Sequence, residues 1–265
     1  MILEIVAQRQ FNTLYIILDC IFLVFLVGLL IFKKNYMTVV VGLIFGVVYL
    51  LVDYGIFHLL THSRSIEGGS MFWTLFWMSM SYGFTNFAWI WLWLKRDKNL
   101  LLYSFLILLW WFCCPLIAST FGESFPVITI ERTTGAYHGY MALMLLIGYV
   151  GVIIWNLCHE RPHQVPLLWI LAIGILVQFG WECGLLIGGI RSALIDSWPQ
   201  KIETMVINSL LETNLGMPYI YALYILYRTR YNENLTKREH RLTFLEAMEE
   251  NNKIRVRMDN VQGLR

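Results

Sequence analysis

Val52-Asp53-Tyr54 leads to His62-Ser63-Arg64-Ser65, and Phe179-Gly180-Trp181 leads to Gly189-Ile190-Arg191-Ser192. In both stretches an aromatic residue stands ten positions before an Arg-Ser pair, and the offset, Tyr54 to Trp181 and Arg64 to Arg191, is 127 residues. Further along, Thr85-Asn86-Phe87-Ala88 with Trp91-Leu92-Trp93 is answered by Thr213-Asn214-Leu215-Gly216 with Tyr219-Ile220-Tyr221 at an offset of 128. Two blocks in the same order predict an internal duplication, with one residue inserted in the later loop. Membrane proteins built from repeats place their binding sites where the repeats meet, so the paired polar residues are the first candidates.

The surrounding composition sets the class. With 58% hydrophobic and 14% charged residues, the 265-residue chain carries more apolar surface than a soluble domain can bury, and its apolar runs match a bilayer. Seven spanning helices are expected at roughly 13–32, 37–60, 71–94, 100–119, 135–157, 166–189 and 200–227. The predicted fold is all-α, a polytopic membrane protein in a 3+1+3 parallel repeat. The repeats cover about 13–94 and 135–227 around a linker helix at 100–119, in a membrane domain 1–230 followed by a tail, 231–265.

Lys33, Lys34, Lys95, Arg96, Lys98, Arg161 and the basic tail fall on one side. This predicts a multi-pass protein of the cell membrane with its N-terminus outside and its C-terminus in the cytoplasm. A short tail helix is expected over 234–251, with Thr236 and Glu239 at capping-box spacing and Leu235, Leu242, Leu245 and Met248 as a narrow apolar stripe. The net charge of +2 sits in the tail and gives no sign of a nucleic-acid surface. Cys20, Cys113, Cys114, Cys158 and Cys183 lack ligand spacing and read as packing residues; the histidine pairs lack an acid at zinc-site spacing. No metal or cofactor is called for, and no P-loop, Rossmann turn or nucleophile elbow is present.

Carboxylates inside a spanning helix are costly unless paired, protonated or wet, which makes them functional candidates. Asp53, Glu182 and Glu212 lie on the duplicated helices; Asp19, on the first, has no repeat partner. Helical spacing puts Ser79, Tyr82, Asn86 and Trp89 on one face, clusters Gln178, Trp181 and Glu182 on another, and sets Asn208 and Glu212 in line with Leu215 and Tyr219. Such mixed polar and aromatic stripes suit a ligand that is mostly apolar with one polar end. For Asn86 and Asn214 taken singly, interhelical hydrogen bonding is the competing reading. Arg64 and Arg191 are expected to pair with Glu67 and Asp196 or to snorkel.

In size, in the acid at Asp53 and in the run Glu212-Thr213-Asn214-Leu215-Gly216-Met217-Pro218-Tyr219, the chain resembles the seven-helix transmembrane terpene cyclases. It departs from them in carrying Trp181-Glu182 on the sixth helix, where that family has a Trp-Glu pair on the second, and in leaving Glu212 or Asn214 as the partner acid position. The resemblance implies cyclisation of an isoprenoid-type substrate, with Asp53 as proton donor and Glu212 orienting it or taking the final proton. Tyr82, Trp89, Trp181 and Tyr219 would face the carbocation, and Asn86, Glu182 and Asn214 would complete the substrate site. The layout is also similar to SWEET and PnuC carriers, in which Asn86 and Asn214 would hold a small solute; a receptor or interaction protein is the third class. The expected partners are the lipid bilayer and a small lipophilic ligand or solute.

Overall fold

A computed structural model describes residues 9–132, 138–191, 193, 195–231 and 244–262. The chain is mostly helical. Helices α1 (Thr13–Phe32), α2 (Tyr36–Leu50), α3 (Met71–Leu94), α4 (Leu100–Phe121), α5 (His138–Cys158) and α6 (Leu167–Ile187) follow the apolar runs closely. Five spans, Thr13–Phe32, Tyr36–Leu60, Leu100–Phe121, Gly139–Cys158 and Arg161–Ile187, are long and apolar enough to cross a membrane. Asn12 starts α1: its Oδ1 accepts from the Tyr15 N–H at 3.2 Å, filling one of the donors a helix leaves open at its start.

Packing divides the chain into two compact units, Met1–Gly139 with Ile175–Leu210, and Tyr140–Gly174 with Leu211–Arg265. These units cut across the predicted repeats. In the first, α3 is the core helix, and every residue from Ser81 to Leu92 is buried. Glycines set α2 against it: a Cβ on Gly83 would lie 2.9 Å from the Gly46 Cα, and one on Gly42 would lie 2.6 Å from the Phe84 ring. The Phe45 and Phe87 rings stack alongside, 4.1 Å apart.

Three expectations are corrected. The fold is not purely helical, because β1 (Arg9–Asn12), β2 (Arg64–Glu67) and β3 (Val127–Arg132) form an antiparallel sheet in the order β1-β3-β2. β3 opens with four consecutive β-branched residues, Val127 to Ile130, and burial alternates along them, with Ile128 and Ile130 inside. Strands this short escape a search for bilayer-length apolar runs. The second helix does not stay α-helical to its end; Leu51–Leu60 winds as a π-helix, a wider turn that recurs at functional sites. The seventh helix is interrupted. After α7 (Trp198–Leu211) come a turn at Glu212 and Thr213, a 3-10 turn at Asn214–Gly216 and then α8 (Met217–Tyr231). Pro218 has no N–H to give and its ring crowds a carbonyl one turn earlier, which favours a break here.

The tail helix is α9 (Phe244–Gln262), displaced from the expected 234–251. Leu235, Thr236, Glu239 and Leu242 lie outside the described residues. Within the second unit Met248 and Ala247 are buried, while Leu245 of the expected stripe is exposed. The Asn252 side chain donates to the Pro162 and Gln164 carbonyls, and Asn251 Nδ2 donates to the Tyr221 hydroxyl at 3.3 Å.

Candidate functional site

Arg64 and Arg191 each stand just past the end of a helix, and each turns back to the acid of that helix. Asp53 sits early in the π-helix. At its far end the Thr61 and Ser63 hydroxyls donate to the Phe57 carbonyl, and His62 takes a left-handed turn (φ 49°). The chain then enters β2 with Arg64 pointing inward. Its guanidinium donates to Asp53 Oδ1 at 2.9 Å and lies 4.4 Å over the Phe57 ring. The expected Arg64–Glu67 pair is therefore replaced by Arg64–Asp53, both buried.

The second pair is more enclosed. Gly189 (φ 72°) ends α6, and the Ile190 and Arg191 N–H groups both return to the Leu185 carbonyl, at 2.9 and 3.0 Å. Arg191 then grips Glu182 as a fork: Nε donates to Oε2 at 2.6 Å and the terminal nitrogen donates to Oε1. Their side chains are 1% and 0% exposed, so Asp196 is not the partner. From Glu182 the polar contacts continue inward. Gln178 Nε2 donates to Oε1 at 3.4 Å, and the Tyr82 hydroxyl donates to Gln178 Oε1 at 2.8 Å.

Around this line stand the predicted aromatic residues. Trp181 lies 5.4 Å from Tyr82 and 5.2 Å from Trp111, and Trp111 lies 5.5 Å from Trp89, whose indole N–H donates to Ser104 at 2.7 Å. Asn86 is on the same face of α3 between Tyr82 and Trp89, fully buried, with neither amide atom hydrogen-bonded. Ser79 Oγ and Trp181 Nε1 are also buried without a hydrogen-bond partner. Buried polar groups in this state are costly, and a bound polar group satisfies them. Close approach of α4 and α6 makes the cluster possible; a Cβ on Gly184 would stand 2.7 Å from the Trp111 carbonyl oxygen.

Nearer the sheet, Arg9, Phe11, Tyr15, Trp77, Met78, Ser81, Trp181, Leu185 and Ile190 line a cavity of about 10 Å³, room for one water molecule. Behind it lies Asp19. Its carboxylate accepts from Trp77 Nε1 at 3.0 Å, and it forms no ion pair among the described residues. Sequence reasoning did not place Asp19, Tyr15, Trp77 or Arg9 in a site. A signal was present: Tyr15, Asp19, Phe22, Leu26 and Leu30 recur at helical spacing, and all five face inward.

Of the predicted site residues, then, the first unit gathers Tyr82, Asn86, Trp89, Trp181 and Glu182, and holds Asp53 in its own pair. Glu212, Asn214 and Tyr219 belong to the second unit. There Asn214 is buried and accepts from the Tyr149 hydroxyl at 3.1 Å, Glu212 is half-buried in the turn, and Tyr219 is exposed. At least two of Asp53, Glu182 and Glu212 were expected to line one cavity with Asn86 or Asn214. Asp53 and Glu182 are instead each closed in a local ion pair, so anchoring of structure is the better reading for these two. Compared with known proteins, the chain matches no family model, no curated protein and no solved structure.

Proposed function

We propose that this chain is an integral membrane enzyme that cyclises a lipophilic, isoprenoid-type substrate by acid catalysis, with seven spans in a 3+1+3 repeat and a cytoplasmic C-terminus. The supporting observation is the juxtaposition in the first unit of a buried carboxyl bonded by a neutral donor, Asp19 by Trp77, with a cavity walled by Phe11, Tyr15, Trp77 and Trp181 beside Arg9. Initiation at an alkene or epoxide needs a carboxylic acid that still carries its proton. Asp53 and Glu182, each bonded to a guanidinium, do not meet that need, so the donor in this reading is Asp19. Ser81 lines the cavity, and in this reading its hydroxyl relays the proton from Asp19. The aromatic faces then stabilise the carbocation and exclude water, and the cyclised cation loses a proton back through Ser81 to the Asp19 carboxylate, which restores the acid. A cavity of about 10 Å³ holds no prenyl chain, so substrate entry requires the helices around it to part.

The test is product formation from a panel of prenyl alcohols, epoxides and prenylated aromatics in membranes, read by mass spectrometry. Asp19→Asn preserves size and hydrogen bonding but removes the transferable proton, and it is expected to lower turnover at least 100-fold while substrate binding persists. Full activity in Asp19→Asn removes the residue from this role. Absence of product from the unmodified protein across the panel refutes the cyclase reading.

A second reading has one observation in its favour. The interruption between α7 and α8 is the kind of discontinuous helix at which carriers bind solute, and Asn214 lies in it. Uptake of labelled solutes into proteoliposomes, abolished by Asn214→Ala and unaffected by Asp19→Asn, would establish a carrier instead.

A further inference from the structure

The end of the first unit away from the sheet carries two loops with the same construction. After α1, the Asn35 N–H returns to the Leu30 carbonyl at 2.8 Å with Lys34 in the left-handed region (φ 58°). After α3, the Asp97 N–H returns to the Leu92 carbonyl at 3.0 Å with Arg96 in the same region (φ 51°). This closure of a helix end ordinarily has glycine at the left-handed position. Here a strained basic residue stands there twice, which directs attention to the side chain, since the turn itself would be easier to make without one.

The two loops are clamped together. Lys95 Nζ donates to Asn35 Oδ1 at 2.5 Å and pairs with Asp97 at 3.0 Å, while Asn35 Nδ2 donates to the Tyr103 hydroxyl at 3.0 Å. Asp97 is the one acid in either loop, and it is engaged by Lys95 and by the Asn99 N–H at 2.9 Å. Lys33, Lys34 and Lys98 are exposed beside it, with Arg96 between them in the turn. Around these cations the surface is apolar: Phe32, Tyr36 and Leu101 are 78%, 57% and 81% exposed. Cations ringed by exposed apolar side chains have the chemistry of a bilayer interface, where a phosphate sits directly above acyl chains.

We propose that these two loops form a binding site for an anionic phospholipid, its phosphate held by Lys33, Lys34 and Lys98 and its chains lying against Phe32, Tyr36 and Leu101. The inference rests on the membrane reading given above. Each basic residue near an anionic surface is worth about fivefold in affinity, so losing two lowers retention about 25-fold.

Lys34→Gly with Arg96→Gly removes one of the three phosphate-holding cations, for a loss of about fivefold, and relieves both strained turns, and Lys33→Gln with Lys98→Gln removes the other two without touching the turns. Full-length protein purified from vesicles of equal phosphatidylglycerol and phosphatidylcholine is weighed by native mass spectrometry. The unmodified protein is expected to retain phosphatidylglycerol preferentially. Both variants are expected to lose that preference, the glycine variant with thermal stability equal or higher. Retention by the variants equal to that of the unmodified protein overturns the proposal. So does displacement of the lipid by millimolar inorganic phosphate, which would mark a site for a soluble anion. Alkaline carbonate separates the two readings: a chain washed off membranes refutes the membrane reading itself, whereas a carbonate-resistant chain with no lipid preference refutes the lipid site alone.

Discussion

Arg191→Met tests whether the more enclosed ion pair is an anchor. The guanidinium is 1% exposed and makes two bonds to a carboxylate that is 0% exposed, so removing it strands a charge that water cannot reach. The long contact from Gln178, at 3.4 Å, is too weak to compensate. Breaking one partner of such a pair costs about 3–5 kcal/mol. For a chain of this size each kcal/mol shifts the unfolding midpoint by roughly 2–4 °C, so a fall of about 10 °C is expected in detergent, followed by tryptophan emission. Glu182→Gln combined with Arg191→Met removes both charges and keeps an acceptor for Gln178. It should recover more than half of the loss. A single substitution that lowers the midpoint by less than about 2 °C, or a double that is no better than the single, refutes the reasoning.

The helix contacts make a second prediction. Gly83→Ala and Gly184→Ala, whose new Cβ atoms would meet the Gly46 Cα at 2.9 Å and the Trp111 carbonyl at 2.7 Å, should each destabilise by about 1–3 kcal/mol, while Gly28→Ala, with nothing within 4 Å, should be neutral or stabilising in the same thermal assay. A third concerns pH. Burial opposes ionisation of Asp97, but the Asn99 N–H, the Lys95 ammonium and the Asn35 amide together outweigh it and hold the carboxyl below its ordinary value. With a depressed folded value, the stabilisation is present above the ordinary carboxylate range and is lost only as pH falls below it. Exchange protection of the Asn99 amide, corrected for intrinsic rate, should be flat from pH 7 to about 5, fall at lower pH, and be low throughout in Asp97→Asn. Finally, Asn252→Ala removes the donor to Pro162 and Gln164 and should release α9 to limited proteolysis ahead of the rest of the chain; unchanged cleavage would show that the apolar contacts of Met248 hold it alone.

Much of this architecture is legible in the residues, and the parts that are not have physical causes. Apolar runs placed α1, α3, α4, α5 and α6 within a few residues, because a helix of bilayer length leaves a signal many residues long. The sheet was missed because its strands are four to six residues each. The break at Glu212–Gly216 was written in Gly216 and Pro218 but was overridden by the length of the surrounding apolar segment. Helical spacing put Tyr82, Asn86 and Trp89 on one face of α3, where all three are buried. It failed for the arginines. Arg64 and Arg191 were matched with the nearest acids outside their helices, whereas a long side chain at a helix end reaches back 11 and 9 residues to an acid within it.

That reach changes what the two matching Arg positions mean. Arg9 in β1 bridges Arg191, β1 pairs with β3, and β3 pairs with β2, which begins at Arg64. Arg64 and Arg191 therefore meet in one closure across the end of the first unit, each tied to a carboxylate of the helix before it. These two arginines secure the frame, and Asp19 is left with a neutral donor, Trp77, beside a cavity. If the frame reading is right, Arg64→Met should resemble Arg191→Met in lowering stability and should leave the chemistry at Asp19 intact in whatever fraction remains folded. Turnover per folded molecule is the quantity that decides. A loss of turnover in Arg64→Met beyond the loss of folded protein would return Asp53 to the reaction.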